Sequence, residues 1–330
     1  MKILIIGKGF IGERLGYFLS KVEDFEVHTI SQSVVDYTKP DMLRMFIGYH
    51  TNTLNTPFDR IIICTGYTGK PNVDACELPE NKPTAYLYNV TVPLTIVRVA
   101  NEFGVRCIHV GSGCIYDGYD TYYSETHEPN FGIYNPESSF YSKTKHIAET
   151  VLKDICHVFR IRMPYTFIPS DKNYLTKILK YPITLSKFNS ITCVDDFYNF
   201  IYNFILIDSN YTIEFGVFNV TNPAPITANN IVDIMVEAGL EEARMKDWKF
   251  TDNINDLSIT AKRSNCALNT TKIASMGLAL PSTDESLLRT LRLYKQFSET
   301  GAIETPKVET VETIIDDVID DDSNDQSIVI

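Results

Sequence analysis

The sequence predicts an α/β fold: a doubly wound parallel sheet with a smaller, mostly helical region built onto its C-terminal side. Three observations carry that prediction. Short, nearly continuous apolar runs alternate with stretches of helical periodicity through the first half of the 330 residues. A glycine-punctuated turn, "GKGFIG", follows the first apolar run directly. Beyond Pro164 the alternation loosens into helix-period segments with little strand between them.

The expected strands of the first half are "KILIIG", "FEVHTI", "DRIIICTG", "VRCIHVGSG" and "CHVFRIRMP". They are apolar almost throughout, as strands covered on both faces should be. Between them, "FIGERLGYFLSKV" and "PTAYLYNVTVPLTIVRVANEFG" carry apolar residues at helical spacing. In the second half "NYLTKILKYPI", "VDDFYNFIYNFILI", "TANNIVDIMVEAG" and "SLLRTLRLYKQF" read as helices, with short strands such as "VFNVT" between them. The expected division is a cofactor-binding domain over 1–164, a substrate-binding region over 165–298 that is able to return elements to the sheet, and a tail over 299–330. The tail holds ten acidic residues against one lysine and no aromatic residue, so it carries most of the net charge of −12 and is expected to be disordered. The cleft between the two folded parts is the default ligand site.

Composition excludes several classes. The seven cysteines (Cys64, Cys76, Cys107, Cys114, Cys156, Cys193 and Cys266) are odd in number and scattered, with no CxxC pair, so neither a disulfide framework nor a structural metal is expected. This usage suits a reducing compartment, and a cytoplasmic location is expected. No basic stripe points to nucleic acid, and no apolar run is long enough to span a membrane.

In "GKGFIG", Gly7 permits a tight turn, Gly9 lets backbone approach a pyrophosphate, and Gly12 lets helix and strand pack closely. The strand–turn–helix context makes this a dinucleotide loop and the domain Rossmann-type. Lys8, Phe10 and Ile11 complete the loop; Thr65, Gly66 and Tyr67, at the end of the third strand, are expected to line the same site. The second strand ends in Ser31 and Gln32 where an acid for the ribose hydroxyls is usual, and Lys8 and Arg14 lie close enough to face a 2′-phosphate. NADPH is therefore expected, with NADH left open; Asp36 is a candidate for the adenine edge.

"YSKTK" places Tyr141 and Lys145 one helical turn apart, pointing the same way. A nearby ammonium is expected to lower the phenol's pKa, so that Tyr141 can exchange a proton at neutral pH. Upstream, "VGSGCIYDG" puts a hydroxyl, Ser112, and a thiol, Cys114, two residues apart at a strand end.

Ser112, Tyr141 and Lys145 together resemble the triad of the short-chain dehydrogenase/reductases, in their extended, nucleotide-sugar-modifying branch. The resemblance covers roughly residues 1–297. It implies that Ser112 polarises a sugar carbonyl, Tyr141 protonates the developing alkoxide, Lys145 also holds the nicotinamide ribose, and Asn89 supports a proton relay. The ordered series "GYTGKPNVDACE", "GSGCIYDG", "EPNF", "SFYSKTKHIAE", "RIRMP", "NYLTKILKY", "SITCVDDF" and "KRSNCALNTTK" is similar to the bifunctional UDP-4-keto-6-deoxyglucose 3,5-epimerase/4-reductases of UDP-rhamnose synthesis, close to the dTDP-4-dehydrorhamnose reductases. The glycine loop departs from that family's GxxGxxG by one residue.

That resemblance implies a second pair of catalytic groups. Inverting a carbon alpha to a ketone needs a proton removed from one face and returned to the other, so two groups must flank the ring. In the family a Cys two residues after the catalytic Ser/Thr is one of them, which is Cys114 here; the opposing Lys carries over to Lys177. Arg263 resembles the family's diphosphate-binding arginine, Lys70 and Asn173 are weaker substrate-binding candidates, and Arg162 reads equally as a structural residue. The implied substrate is a nucleotide-linked 4-keto-6-deoxy sugar, UDP-4-keto-6-deoxy-D-glucose going to UDP-β-L-rhamnose, supplied by a separate 4,6-dehydratase. A homodimer is an expected assembly. A reductase without epimerase activity, a GDP-fucose-synthase-like enzyme and a non-catalytic NADP-binding regulatory subunit are the rival readings.

Overall fold

The structure, a computed structural model, describes residues 1–300. In chain order the cofactor half comprises β1 (Lys2–Ile6), α1 (Gly12–Leu19), β2 (Glu26–Ile30), α2 (Pro40–Gly48), β3 (Arg60–Ile63), α3 (Lys82–Tyr86), α4 (Val92–Glu102), β4 (Arg106–Ser112), β5 (Gly118–Tyr123), α5 (Phe140–Leu152) and β6 (His157–Ile161). There follow α6 (Tyr174–Lys180), β7 (Thr184–Leu185), α7 (Val194–Tyr211), β8 (Gly216–Asn219), α8 (Ala228–Glu237), α9 (Glu241–Met245), β9 (Phe250–Thr251), β10 (Cys266–Leu268), α10 (Thr271–Ser275) and α11 (Thr283–Thr300).

Branched apolar residues dominate the central strands, where they suit a pleated surface covered on both sides. Ile3, Leu4, Ile5 and Ile6 of β1 are all fully buried, and each such side chain stabilises the fold by roughly 1.5–3 kcal/mol. The main sheet is parallel throughout, in the order β2-β1-β3-β4-β6-β8. One face packs on α2, α4 and α5 through Leu43, Ile47, Ile96, Val97, Ala148 and Leu152. The other packs on α1 and α7 through Leu15, Leu19, Phe197, Phe200, Ile201 and Phe204. Chain order reverses between β1 and β3, which opens a crevice at their carboxyl ends where open α/β sheets bind ligands. A third core, built from α6, α8, α9 and α11 around Leu175, Ile178, Ile231, Met235, Leu287 and Leu291, forms the second half.

The strand in "VFNVT", β8, is one of the elements that the second half returns to the sheet: it pairs with β6 and extends it. Two expectations are corrected. The long helix predicted around Asn89 is broken, because residues 87–91 form a π-helical turn between α3 and α4. Pro93 explains the break: it has no N–H to donate to the carbonyl of Asn89. The tail begins later than residue 299, since α11 runs through Thr300; the disorder expected for 301–330 lies outside the described residues. Among the described residues no helix is long and apolar enough to cross a membrane.

Candidate active site

The glycine loop fits a dinucleotide. Gly7 adopts φ +111°, and a Cβ there would sit 2.8 Å from the backbone of Cys64 and Thr65. A Cβ on Gly12 would lie 2.1 Å from the Gly7 carbonyl, whereas one on Gly9 would meet nothing within 4 Å. The first and third glycines are thus needed by the fold, and the second faces open space. Two buried polar atoms beside this loop have no partner among the described residues, Thr65 Oγ1 and Arg14 Nη1. Such orphans cost energy unless a ligand or water satisfies them, and a phosphate-bearing group suits both. Arg14 stacks its guanidinium 4.8 Å from the Phe10 ring, and the Ile11 carbonyl accepts a hydrogen bond from Tyr198 at 2.9 Å.

Other cofactor candidates are engaged within the protein. Lys8 is exposed and 3.7 Å from Glu13. Ser31 shares a hydrogen bond with Ser33 at 2.7 Å. Asp36 spends Oδ1 on Gln32 and on both the N–H and hydroxyl of Thr38, with the Thr38 hydroxyl foremost in lowering its pKa. Its carboxylate thus organises its own turn.

Asn89 is fully buried. Its Oδ1 accepts from the Tyr67 N–H at 2.8 Å, while Nδ2 donates to the Tyr67 carbonyl and to Thr144 Oγ1, both at 3.0 Å. Both amide hydrogens are used, so the side chain clamps the Tyr67 loop onto α5. Gly66 lies over this clamp: a Cβ there would be 3.4 Å from Asn89 Oδ1 and 3.6 Å from the Lys145 ammonium.

β4 and α5 bring the reacting groups together. Ser112 ends β4, and its Oγ accepts the Cys114 backbone N–H at 3.2 Å. Helix α5 begins one residue before Tyr141, held by two caps: Ser139 Oγ accepts from Ser142 N at 3.1 Å, and Glu77 Oε1 accepts from Phe140 N at 2.7 Å. Ser112 lies close enough to the phenol of Tyr141 for its hydroxyl to favour the phenolate, and the Lys145 ammonium lies 6.0 Å from the ring centre of Tyr141. The expected fall in the phenol's pKa is reversed: burial pushes Tyr141 up, Cys114 adds to the rise, and the Ser112 hydroxyl opposes it. Burial also takes Lys145 down to about 8, against a smaller opposite effect of Cys114. Burial thus favours the protonated phenol of Tyr141, beside a lysine whose pKa it brings down to about 8.

Cys114 is half-buried. Lys177, on α6, is half-buried as well, with an ammonium that makes no hydrogen bond or ion pair among the described residues; burial first, then Lys172 and Arg263, lowers its pKa. Arg263 pairs with Asp74. Lys70 is exposed on the turn before Pro71. Asn173 is fully buried and caps α6, its Oδ1 accepting from Leu175 and Thr166 and its Nδ2 donating to the carbonyls of Thr166 and Ile168; it has no amide hydrogen left for a sugar. Arg162 is buried and ties the Ser112–Cys114 turn to later segments, donating to the Gly113 carbonyl and Ser264 Oγ, both at 2.9 Å. Sequence reasoning missed Asp74 and Glu77, although both lie in the quoted run "GYTGKPNVDACE". Their signal is only that two acids follow a turn, and their partners lie 63 and more residues away.

Residues 1–200 match the family described as RmlD substrate binding domain. The chain belongs to that family. Within it the chain is 32% identical over 235 residues, 68% of its own length and 73% of the relative's, to a bifunctional dTDP-4-dehydrorhamnose 3,5-epimerase/dTDP-4-dehydrorhamnose reductase of Arabidopsis thaliana. A trifunctional UDP-glucose 4,6-dehydratase/UDP-4-keto-6-deoxy-D-glucose 3,5-epimerase/UDP-4-keto-L-rhamnose-reductase of the same plant is 31% identical over 238 residues, and the match spans 33% of that longer protein. Among solved structures, the L780 UDP-rhamnose synthase of Acanthamoeba polyphaga mimivirus superposes with a TM-score of 0.74 at 23% identity, over 89% of this chain and 99% of that one. A dTDP-4-dehydrorhamnose reductase of Bacillus anthracis in complex with NADP gives 0.70 at 19%, over 91% and 99%. These two share the fold. The resemblance to the rhamnose-forming epimerase/reductases and dTDP-4-dehydrorhamnose reductases and the Rossmann-type sheet read from the sequence both hold, and by class this family member is a nucleotide-sugar oxidoreductase.

Proposed function

We propose that the protein converts UDP-4-keto-6-deoxy-D-glucose to UDP-β-L-rhamnose, first epimerising C3 and C5 and then reducing the C4 ketone with NADPH. The observation that carries the reading is the single turn joining two chemistries: Ser112 beside the Tyr141 phenol, and the half-buried Cys114 two residues on, its N–H on the Ser112 hydroxyl.

The glycine loop, Arg14 and Thr65 would hold NADPH, which would supply a hydride for C4. The chain's own groups handle protons. Ser112 hydrogen-bonds the C4 oxygen, and the protonated Tyr141 gives its proton to the oxygen as negative charge develops there. Lys145 holds the ribose and returns a proton towards the phenol. For epimerisation, one of Cys114 and Lys177 takes the proton alpha to the ketone, and the other returns one to the opposite face. The free Lys177 ammonium, with its pKa lowered by burial, suits a group that must change protonation state. The 4-keto substrate comes from a 4,6-dehydratase, and the protein works as a homodimer in the cytoplasm, where its seven free cysteines stay reduced.

The test is to incubate the purified protein in heavy water without NADPH, with UDP-, dTDP- and GDP-linked 4-keto-6-deoxy sugars in turn. Deuterium at C3 and C5, followed by rhamnose on adding NADPH, is the expected result. Reduction without any deuterium incorporation would leave a simple 4-reductase.

A further inference from the structure

Arg263 is held end-on. Its Nη1 donates to Asp74 Oδ1 at 2.8 Å and to the Ala261 carbonyl at 2.5 Å, and its Nη2 donates to Asp74 Oδ2 at 3.1 Å. Among the described residues no hydrogen bond uses Nε, and Nη2 keeps one hydrogen. Nε and that remaining Nη2 hydrogen form the side-on fork of a guanidinium, the edge that grips a phosphate bidentately. Pairing with Asp74 therefore fixes the plane of the group without consuming its phosphate-binding edge.

Asp74 is itself tightly placed. Its N–H is capped by Asn72 Oδ1 at 2.8 Å, and its Oδ1 also accepts the backbone N–H of Ala261 at 2.8 Å and of Thr260 at 3.3 Å. Two residues on, Cys76 is fully buried and close enough to Tyr141 to raise its pKa. The adjacent Lys262 is clipped to Glu137 at 2.6 Å. Arg263 also acts electrostatically on Lys177, whose ammonium has no partner among the described residues. An unspent guanidinium fork thus stands within electrostatic reach of the Lys177 ammonium, held on the same Asp74–Glu77 turn that acts electrostatically on the catalytic phenol through Cys76 and caps its helix through Glu77.

We propose that Asp74 is a positioning residue for the nucleoside diphosphate: it orients Arg263 so that the Nε–Nη2 edge meets the diphosphate of the sugar nucleotide. This rests on the functional reading above. The proposal has a definite sign. A carboxylate near a dianion repels it, so if charge dominated, removing Asp74 would tighten diphosphate binding; if orientation dominates, removal weakens it.

The experiment measures UDP binding by calorimetry and NADPH binding by fluorescence for the wild type, Asp74→Ala, Arg263→Ala and the double variant. Asp74→Ala should weaken UDP binding about tenfold, the scale of one charge-assisted pair, and raise KM for the keto-sugar similarly with kcat nearly kept. NADPH affinity should be unchanged, and the double variant should bind UDP no more weakly than Arg263→Ala alone. Unchanged or tighter UDP binding in Asp74→Ala, or an undiminished effect of it in the Arg263→Ala background, overturns the proposal. If Asp74→Ala loses NADPH binding and so is misfolded, Asp74→Asn carries the test: it keeps an acceptor for Ala261 and should still weaken UDP binding. A wild type that binds no nucleoside diphosphate at all would overturn the functional reading itself.

Discussion

Replacing Lys145 with methionine should make the protein more stable at neutral pH while removing its reductase activity. Burial takes this lysine from the ordinary 10.5 down to about 8, with Cys114 opposing. Below pH ~8 the lysine is charged in both the folded and the unfolded chain, so the fold bears the whole cost of the buried charge. Between about 8 and 10.5 the unfolded chain still holds a proton that the native state has released, and native stability rises with pH across that window. The gap corresponds to about 3 kcal/mol. Methionine matches the length of the lysine stem and removes the charge. The variant should therefore gain up to about 3 kcal/mol at pH 7, or roughly 5 °C in Tm, and the advantage should fade towards pH 10.5. Urea unfolding of both proteins without NADPH, at about pH 7 and about pH 9.5, measures it as a shift in midpoint at constant slope. A variant less stable at pH 7, or one with the same advantage at both pH values, would refute the reasoning.

Cys114→Ala should abolish deuterium uptake at C3 and C5 in heavy water, yet still reduce a 4-keto-L-rhamnose nucleotide already carrying the inverted centres; loss of both activities together would remove the division of labour. Gly9→Ala should fold like the parent, because its Cβ meets nothing within 4 Å, but lose NADPH affinity about tenfold or more as the added methyl crowds the pyrophosphate. Gly12→Ala, with its Cβ 2.1 Å from the Gly7 carbonyl, should lower Tm as well; equal melting temperatures for the two would contradict the loop geometry. Glu77→Ala removes a charged acceptor from the Phe140 N–H, so it should cost about 1.5–3 kcal/mol in thermal or urea unfolding and reduce kcat by loosening the turn that carries Tyr141.

The sheet was legible because each of its strands is a local statement. "KILII" and "RIII" cannot bury their isoleucines as amphipathic helices, and a glycine loop after the first of them leaves one family of topologies. What escaped were the non-local facts. "VFNVT" reads the same whether it joins the main sheet or a small one, and only pairing with β6 decides. The π turn at 87–91 arises from a proline two residues into the next helix and from the burial of Asn89, whose amide partners stand 22 and 55 residues away. Asn173 shows the converse error: an asparagine before an apolar helix is as much an N-cap as a sugar ligand, and its saturated amide settles which it is.

Tyr141 and Lys145 were found from their spacing together with the glycine loop and the strand-end Ser112, but the sign of their acidity was not, because none of these says anything of burial. That sign decides which direction the site favours. Reduction needs a proton delivered to an alkoxide far more basic than a phenol, and a phenol held protonated by burial and by Cys114 is ready to deliver it. Oxidation of the product must start from the phenolate, the form this environment disfavours. Initial rates of oxidation of UDP-rhamnose with NADP should therefore climb with pH through at least about 10, without a plateau near neutrality. Reductive turnover should instead decline as Lys145 loses its proton near pH 8. An oxidative rate that levels off near pH 7 would mean that the bound phenol is acidic after all, and that Lys145 acts on it more strongly than burial does.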